Sequence, residues 1–356
     1  MMRALFGAGV VAAMVLTACT PSSDGEGDTP SAMGGVDGQG GSTPQGGAEG
    51  QGGAMPPGGG PNMGGVMMDG FVDPDDGEPM EYAPPARLDA AINGGEADAC
   101  DDDHTFVSVA RGWVVDRIGR PIDQAMVQLC IVANGVSECL TPTDTDGAGV
   151  FELSTLAGKR CLSKMVFRSI KPAGFRTPAY VNYDLSMTAD AQGAVVIRDP
   201  FVLYATIPIP TPPEVENDEV LHTFTFHNGM EMDLIPFDLN SDFNRLGARV
   251  VETTERGLTF LEGHDAPDLL LGLSPDSSVY GDGADFRLPN TLGLAAGAKV
   301  DFHFVGGVGC KIDGELVKEG NWVNFGTGTV SNDGNTIVSD EDSGLTCVSW
   351  LGVTAQ

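Results

Sequence analysis

Basic residues are scarce in this chain: 19 Lys and Arg stand against 50 Asp and Glu, for a formal net charge of −31, and no Lys or Arg occurs between Arg3 and Arg87. A surface of that sign repels phosphate backbones and anionic headgroups, which argues against nucleic-acid binding and electrostatic docking on a membrane. Aromatic residues make up only 7%, with three Trp, and there are five His. Between Cys100 and Tyr204 no stretch shows the 3.6-residue periodicity of an amphipathic helix, and the apolar run Ala4 to Val15 is too short to span a bilayer. Catalytic signatures are missing as well. There is no H-x-x-E motif with a third ligand, and Ser274, in Gly272-Leu-Ser-Pro-Asp276, lacks the second glycine of G-x-S-x-G. Asp144-Thr-Asp146-Gly147 lacks the remaining acids of a calcium loop and reads as a strand-connecting turn. The sequence therefore gives no cofactor or metal to expect, and no enzyme.

The most informative stretch that is present is Leu16-Thr17-Ala18-Cys19, which follows Arg3 and the apolar run and has the form of a secretory signal closed by small residues and a cysteine. It resembles the bacterial lipobox. The resemblance implies cleavage before Cys19, acylation of its sulfur, and a mature protein anchored in a lipid bilayer through its N-terminus, at the outer membrane or cell surface. Thr20 is not the aspartate associated with inner-membrane retention in enteric bacteria. Behind the anchor, positions 21 to 70 contain 18 Gly and 6 Pro, too little apolar surface to offset chain entropy. Three Gln-Gly-Gly triplets recur there at a spacing of six. The segment reads as a flexible tether, and ~75 Gly-rich residues give an r.m.s. reach of about 45–50 Å.

Seven cysteines are present, and setting aside Cys19 leaves six, a number that suits disulfides in an oxidising compartment. Asn134-Gly135, a two-residue hairpin signal, lies midway between Cys130 and Cys139. Counting outward from that turn makes Cys130 and Cys139 a non-hydrogen-bonded pair, with Cα atoms close enough to bridge. By elimination Cys100 pairs with Cys161 and Cys310 with Cys347. The spacings include no close C-x-x-C that would favour zinc.

From Cys100 to Tyr204 short strands are bounded by turns: Thr105 to Val115, Ala125 to Val132, Ser137 to Leu140, Gly149 to Ser154, Ser163 to Ser169, Ala179 to Asp184 and Ala194 to Leu203. About seven such strands predict a β-sandwich. Gly112-Trp-Val114-Val-Asp116-Arg-Ile-Gly119-Arg-Pro121, Ala125-Met-Val127-Gln-Leu129, Thr145-Asp146-Gly-Ala-Gly149-Val-Phe151 and Pro172-Ala-Gly174-Phe175 follow one another as in a known family. This region resembles the carboxypeptidase regulatory-like domains of the transthyretin-like fold, over roughly a hundred residues. The resemblance implies a sandwich with Val114, Val127, Leu129 and Phe151 pointing inward and carries no hydrolytic activity. The cysteines and the Asn-Gly hairpin are additions to the family pattern.

Ile207-Pro-Ile-Pro210-Thr-Pro212-Pro213 reads as a stiff boundary. Beyond it come strands at Leu221 to Phe226, Met230 to Ile235, Ala248 to Thr253, Leu258 to Phe260, Leu269 to Leu273, Lys299 to Val305, Trp322 to Val330, Thr336 to Ser339 and Thr346 to Leu351. Asp313-Gly314 and Asn332-Asp333-Gly334 mark hairpins, and a second β-sandwich or jelly-roll is expected. The organisation is thus all-β: a signal peptide over 1–18, a lipidated cysteine and disordered linker over 19–98, a regulatory-like sandwich over 99–206, and a second sandwich or jelly-roll over 214–356.

Several polar clusters compete for a site. His264, Asp265 and Asp268, with Asp276, surround Leu269 to Leu273. His222 and His227, five apart on a strand, point to opposite faces. His303 alternates outward in Val300-Asp-Phe302-His-Phe304. Asp101-Asp102-Asp103-His104 and Gly281-Asp282-Gly-Ala-Asp285 offer oxygen-rich turns. Trp113 alternates with Val114 toward solvent, whereas Trp322 and Trp350 sit at strand ends. The expectation is a non-enzymatic envelope protein displaying β-domains for protein or carbohydrate contact; the alternative is a secreted hydrolase or its accessory, with a site around His264, Asp265 and Asp268.

Overall fold

Val109–Val115 is a strand of seven buried residues, a pattern that only a strand covered on both faces satisfies. In the computed structural model, which describes residues 72–95, 100–101, 104–133, 136–183, 189–190, 192–210 and 213–356, this strand pairs antiparallel with Val150–Ser154 and parallel with Ala194–Val196 and Phe201–Val202. Cys19, the Gly-rich stretch, Asp102-Asp103, the Asn134-Gly135 turn and Pro212 lie outside the described residues. A second sheet runs in the order Val136–Cys139, Met126–Ala133, Lys164–Ile170, Ala179–Tyr183, all antiparallel.

Between the two sheets Phe151, Phe167 and Phe201 pack with ring centroids 5.3 to 6.0 Å apart, Phe201 stacking on both others. The expected inward residues Val114, Val127, Leu129 and Phe151 all belong to this core. Gly149 sits at φ +73°, and a Cβ there would lie 2.4 Å from the carbonyl oxygen of Val114, so the turn before Val150–Ser154 accepts only glycine. Asp146 closes the same turn, its Oδ1 accepting from the backbone N–H groups of Ala148 and Val150, each at 2.9 Å.

The second region forms one ten-stranded antiparallel sheet. Its order is Ile207–Pro208, Gly247–Val250, Leu269–Ser278, Cys347–Ala355, Lys299–Val305, Trp322–Val330, Thr336–Ser339, Asp285–Pro289, Glu231–Leu234, His222–Thr225. Ala248 near one end and Phe224 and Met232 at the other share one hydrophobic core with Phe286, Phe302 and Phe304. Strands so far apart in a sheet can share a core only if the sheet curls back on itself. Lys311–Ile312 and Glu315–Leu316 form the small hairpin that Asp313-Gly314 signals.

A third core lies outside both. Leu88, Trp113, Tyr180 and Tyr204 from the N-terminal side meet Phe260, Trp322 and Trp350 from the C-terminal side. Phe260 stands 5.1 Å from Trp350 and 5.6 Å from Trp322 between ring centroids, and Tyr204 meets Trp350 edge-on at 5.8 Å. Each large side chain buried in this way contributes about 1.5–3 kcal/mol. The regions over 99–206 and 214–356 are thereby packed into one body.

Four expectations are corrected. The proline-rich boundary is not a bare connector, since Ile207–Pro208 pairs with Gly247 and Ala248; as the outermost strand of its sheet it tolerates a proline. Leu258 to Phe260 is not a strand but leads into a short 3-10 helix, Thr259–Leu261, that buries Phe260 and Leu261. Asp285–Pro289, to which the sequence assigns no strand, is one, entered from the turn at Gly281-Asp282. Residues 72–95, assigned to the linker by composition, are packed. Leu88 and Asp75 are fully buried, and the buried guanidinium of Arg111 donates to the Arg87 and Ala90 carbonyls. Composition misleads here because one leucine and a few charges suffice to fasten a segment whose partners lie elsewhere.

Candidate functional site

Where the sandwich meets the curled sheet, Lys164–Ile170 and Ala179–Tyr183 turn Arg168 and Tyr180 toward Asp276, inside Leu269–Ser278. The Arg168 guanidinium pairs with Asp276 Oδ2, and Tyr180 donates its hydroxyl to Asp276 Oδ1 at 2.8 Å. Burial works against the charge on Arg168, but Asp276 outweighs it and raises the guanidinium pKa above its ordinary value. Burial, reinforced by Asp276, holds the Tyr180 phenol well above its usual range. Both carboxylate oxygens of Asp276 are thus engaged, one by Arg168 and one by Tyr180.

Beside it opens a cleft of about 510 Å³, walled by Cys130, Val132, Cys139 and Val166 on the sandwich and by Gly307, Gly309 and Leu316 to Glu319 on the sheet side. Cys130 and Cys139 are directly opposed in the ladder, as Ala133 and Val136 are, with Cα atoms 3.8 Å and sulfurs 2.04 Å apart. Cys100–Cys161 and Cys310–Cys347 lie at bonding distance too. The carboxyl of Glu319 enters this cleft beside the bridge, with Oε2 3.4 Å from Cys139 Sγ. Burial raises its pKa, Arg168 opposes that rise and Asp276 adds to it. Among the described residues these three are a group whose ligand atoms converge. Their sulfurs are bonded to each other, however, and metals take thiolates.

A second cleft of about 630 Å³ lies between Pro79 to Tyr82, Arg117 and the loop from Glu252 to Arg256. The Arg256 guanidinium lies 4.8 Å over the Tyr82 ring, the Tyr82 hydroxyl donates to the Arg117 carbonyl at 2.6 Å, and Arg117 pairs with Glu255 at 2.9 Å. Burial raises the Tyr82 pKa, and Arg256 partly offsets it. The lining carries three acids, Glu81, Glu252 and Glu255, against two bases, Arg117 and Arg256.

An apolar surface emerges at the other side of the curled sheet. Val220, Leu221, Phe237 and Tyr280 are exposed by 50%, 61%, 66% and 57%. Their backbones are adjacent: Phe237 N–H donates to the Asp218 carbonyl at 2.8 Å and Tyr280 N–H to the Asp238 carbonyl at 2.9 Å. Large apolar side chains exposed side by side on adjoining loops are unusual on a protein surface. Sequence reasoning looked for them among the tryptophans and missed these two, because Phe237 and Tyr280 sit in loops with no periodicity to mark their exposure.

The tryptophans are buried instead. Trp113 is only 3% exposed and donates its indole N–H to the Arg198 carbonyl at 2.8 Å. The expectation that it faces solvent is overturned because the outer face of its strand is covered by the third core. Trp350 donates to the Pro178 carbonyl at 2.9 Å. His264, Asp265 and Asp268 are exposed, and Asp268 accepts from the Ala355 N–H at 2.8 Å. Asp276 does not join them but belongs to the Arg168 network. Ser274 Oγ is engaged by Thr206 Oγ1 at 2.6 Å and by the Arg245 carbonyl. His222 lies on a strand and contacts the Asn217 carbonyl at 3.3 Å. His303 lies flat on Trp322 at 5.5 Å, and burial lowers its pKa, with Asp301 opposing.

No family model matches the chain, and no curated protein matches it. Among solved structures, a 9R-lipoxygenase from Cyanothece PCC8801 aligns over 36% of this chain and 20% of its own at 15% identity and a TM-score of 0.20. A streptococcal ancillary pilin aligns over 66% of this chain and 50% of its own at 12% identity and a TM-score of 0.20. The chain thus spans half or less of the length of these two proteins, and likenesses this weak carry no inference about fold or activity.

Proposed function

We propose that this chain is a non-enzymatic lipoprotein of the bacterial cell envelope, anchored by an acylated Cys19 and displaying a β-rich body for protein or carbohydrate contact. The observation that carries the reading is Leu16-Thr17-Ala18-Cys19 behind a basic residue and an apolar run. Its support is the pairing of the other six cysteines at bonding distance, the chemistry of an oxidising compartment. The low basic content fits a protein held by acyl chains rather than by attraction to anionic headgroups. The sandwich over 99–206 is assigned in the same reading to the carboxypeptidase regulatory-like type, supported by its inward Val114, Val127, Leu129 and Phe151. The face around Phe237 and Tyr280 is the contact surface in this reading.

Two measurements test it. Replacing Cys19 with Ser is expected to move the protein from the membrane fraction to the soluble one and to stop acyl incorporation; unchanged partition contradicts the anchor. Protease shaving of intact cells, followed by detection of the region from Cys100 to Gln356, separates display on the outside from residence in the periplasm.

A further inference from the structure

The exposure of Val220, Leu221, Phe237 and Tyr280 is fixed by the backbone beneath them. Pro236 and Leu239, on either side of Phe237, are buried, and Leu239 bridges to buried Val279, which leaves the next residue, Tyr280, outside. Neither aromatic can turn inward without unseating those neighbours. The carboxylates beside them are Asp218, Glu219 and Asp282, all exposed, and Asp238, half-buried. Among the described residues none of these four side chains has an ion-pair or hydrogen-bond partner. No Lys or Arg occurs between Arg198 and Arg245 or between Arg256 and Arg287, the two segments that build this face. The base on the neighbouring strands, Arg287, is already held by Glu231 and Asp233. Apolar side chains and unspent negative charge therefore share one rigid surface.

We propose, on the reading that this face is the contact surface, that its partner is a cationic amphipathic protein segment. Its apolar side chains cover Phe237, Tyr280, Val220 and Leu221, and its Lys or Arg side chains meet Asp218, Glu219, Asp238 and Asp282. Burying the aromatics supplies most of the affinity, while the carboxylates select the partner and speed its encounter. Other occupants fit less well. An anionic membrane surface is repelled by the carboxylates. A second copy of this chain, paired face to face, brings the same four carboxylates against their equals. The chain's own Gly-rich segment carries no Lys or Arg to offer. A neutral sugar finds a ring to stack on but leaves the carboxylates without counter-charges, and Val220 and Leu221 give its hydroxyls nothing to bond.

The test uses the full chain carrying Cys19→Ser, so that neither detergent nor vesicles compete, and fluorescence anisotropy of three short labelled peptides built from Lys and Leu, from Lys and Gln, and from Glu and Leu. Only the Lys–Leu peptide is expected to bind, and raising NaCl from about 0.05 to about 0.5 M is expected to weaken it roughly tenfold. Phe237→Ser with Tyr280→Ser is expected to weaken it at least about tenfold, and Asp218→Asn with Glu219→Gln roughly fivefold. Glu262→Gln with Asp265→Asn removes the same charge before Leu269–Ser278, at the opposite end from Tyr280, and is expected to change nothing. All these side chains are exposed, and an unchanged thermal transition verifies each variant's fold. Equal binding of the Lys–Gln peptide, an equal loss in the Glu262 and Asp265 control, or no binding of the Lys–Leu peptide overturns the proposal. Binding of a neutral oligosaccharide that is lost in Phe237→Ser with Tyr280→Ser, without binding of the Lys–Leu peptide, overturns the cationic partner and leaves the contact surface standing.

Discussion

Replacing Asp276 with Asn tests whether the two β regions form one body. The Asp276 side chain is 3% exposed and that of Arg168 10%, so the substitution leaves a buried guanidinium with Gln128 Oε1 as an acceptor at 3.4 Å and Glu319 as the remaining nearby acid. Stranding a buried charge costs about 3–5 kcal/mol. Asn keeps an acceptor for the Tyr180 hydroxyl, so little is added for that bond. At a urea slope of about 3 kcal/mol/M the midpoint is expected to drop by about 1–1.7 M. Trp113, Trp322 and Trp350 all sit in the third core, so tryptophan fluorescence reports on the junction itself. One transition, moved as a whole, is the expected result. Arg168→Met combined with Asp276→Leu is expected to recover most of the loss, because a buried pair exchanged for apolar groups is near neutral or better. A loss under about 1 kcal/mol, or two transitions of which one stays in place, refutes the shared junction.

Leu88→Ala is expected to cost about 2–5 kcal/mol, measured as the same midpoint shift; an effect near zero would return residues 72–95 to the linker. His303 has a folded pKa lowered chiefly by burial, so the unfolded chain binds its proton first and stability falls as pH drops below about 6.5. His303→Phe preserves the stack on Trp322 and is expected to flatten the loss between pH 7 and pH 5; an unchanged slope contradicts it.

The all-β class was legible because the turn signals and strand residues are local. Asn134-Gly135 stands equidistant from Cys130 and Cys139, and the register found in the ladder is the one that counting from it yields. Asp313-Gly314 and Asn332-Asp333-Gly334 likewise sit between the paired strands they announce. What depends on remote partners was illegible. Arg168 and Asp276 are 108 residues apart, and nothing in the neighbourhood of either names the other. Trp113 read as outward because alternation assumes one wet face, whereas Val109–Val115 has none. Phe237 and Tyr280 come together only through backbone bonds between separate loops.

The central claim is the anchor, and the mass of the mature N-terminal peptide tests it most directly. A lipid anchor requires a peptide beginning at Cys19 and carrying a diacylglyceryl group on its sulfur, absent when Cys19 is changed to Ser. A peptide that retains residues 1–18, or one containing Cys19 as an unmodified thiol, would contradict it.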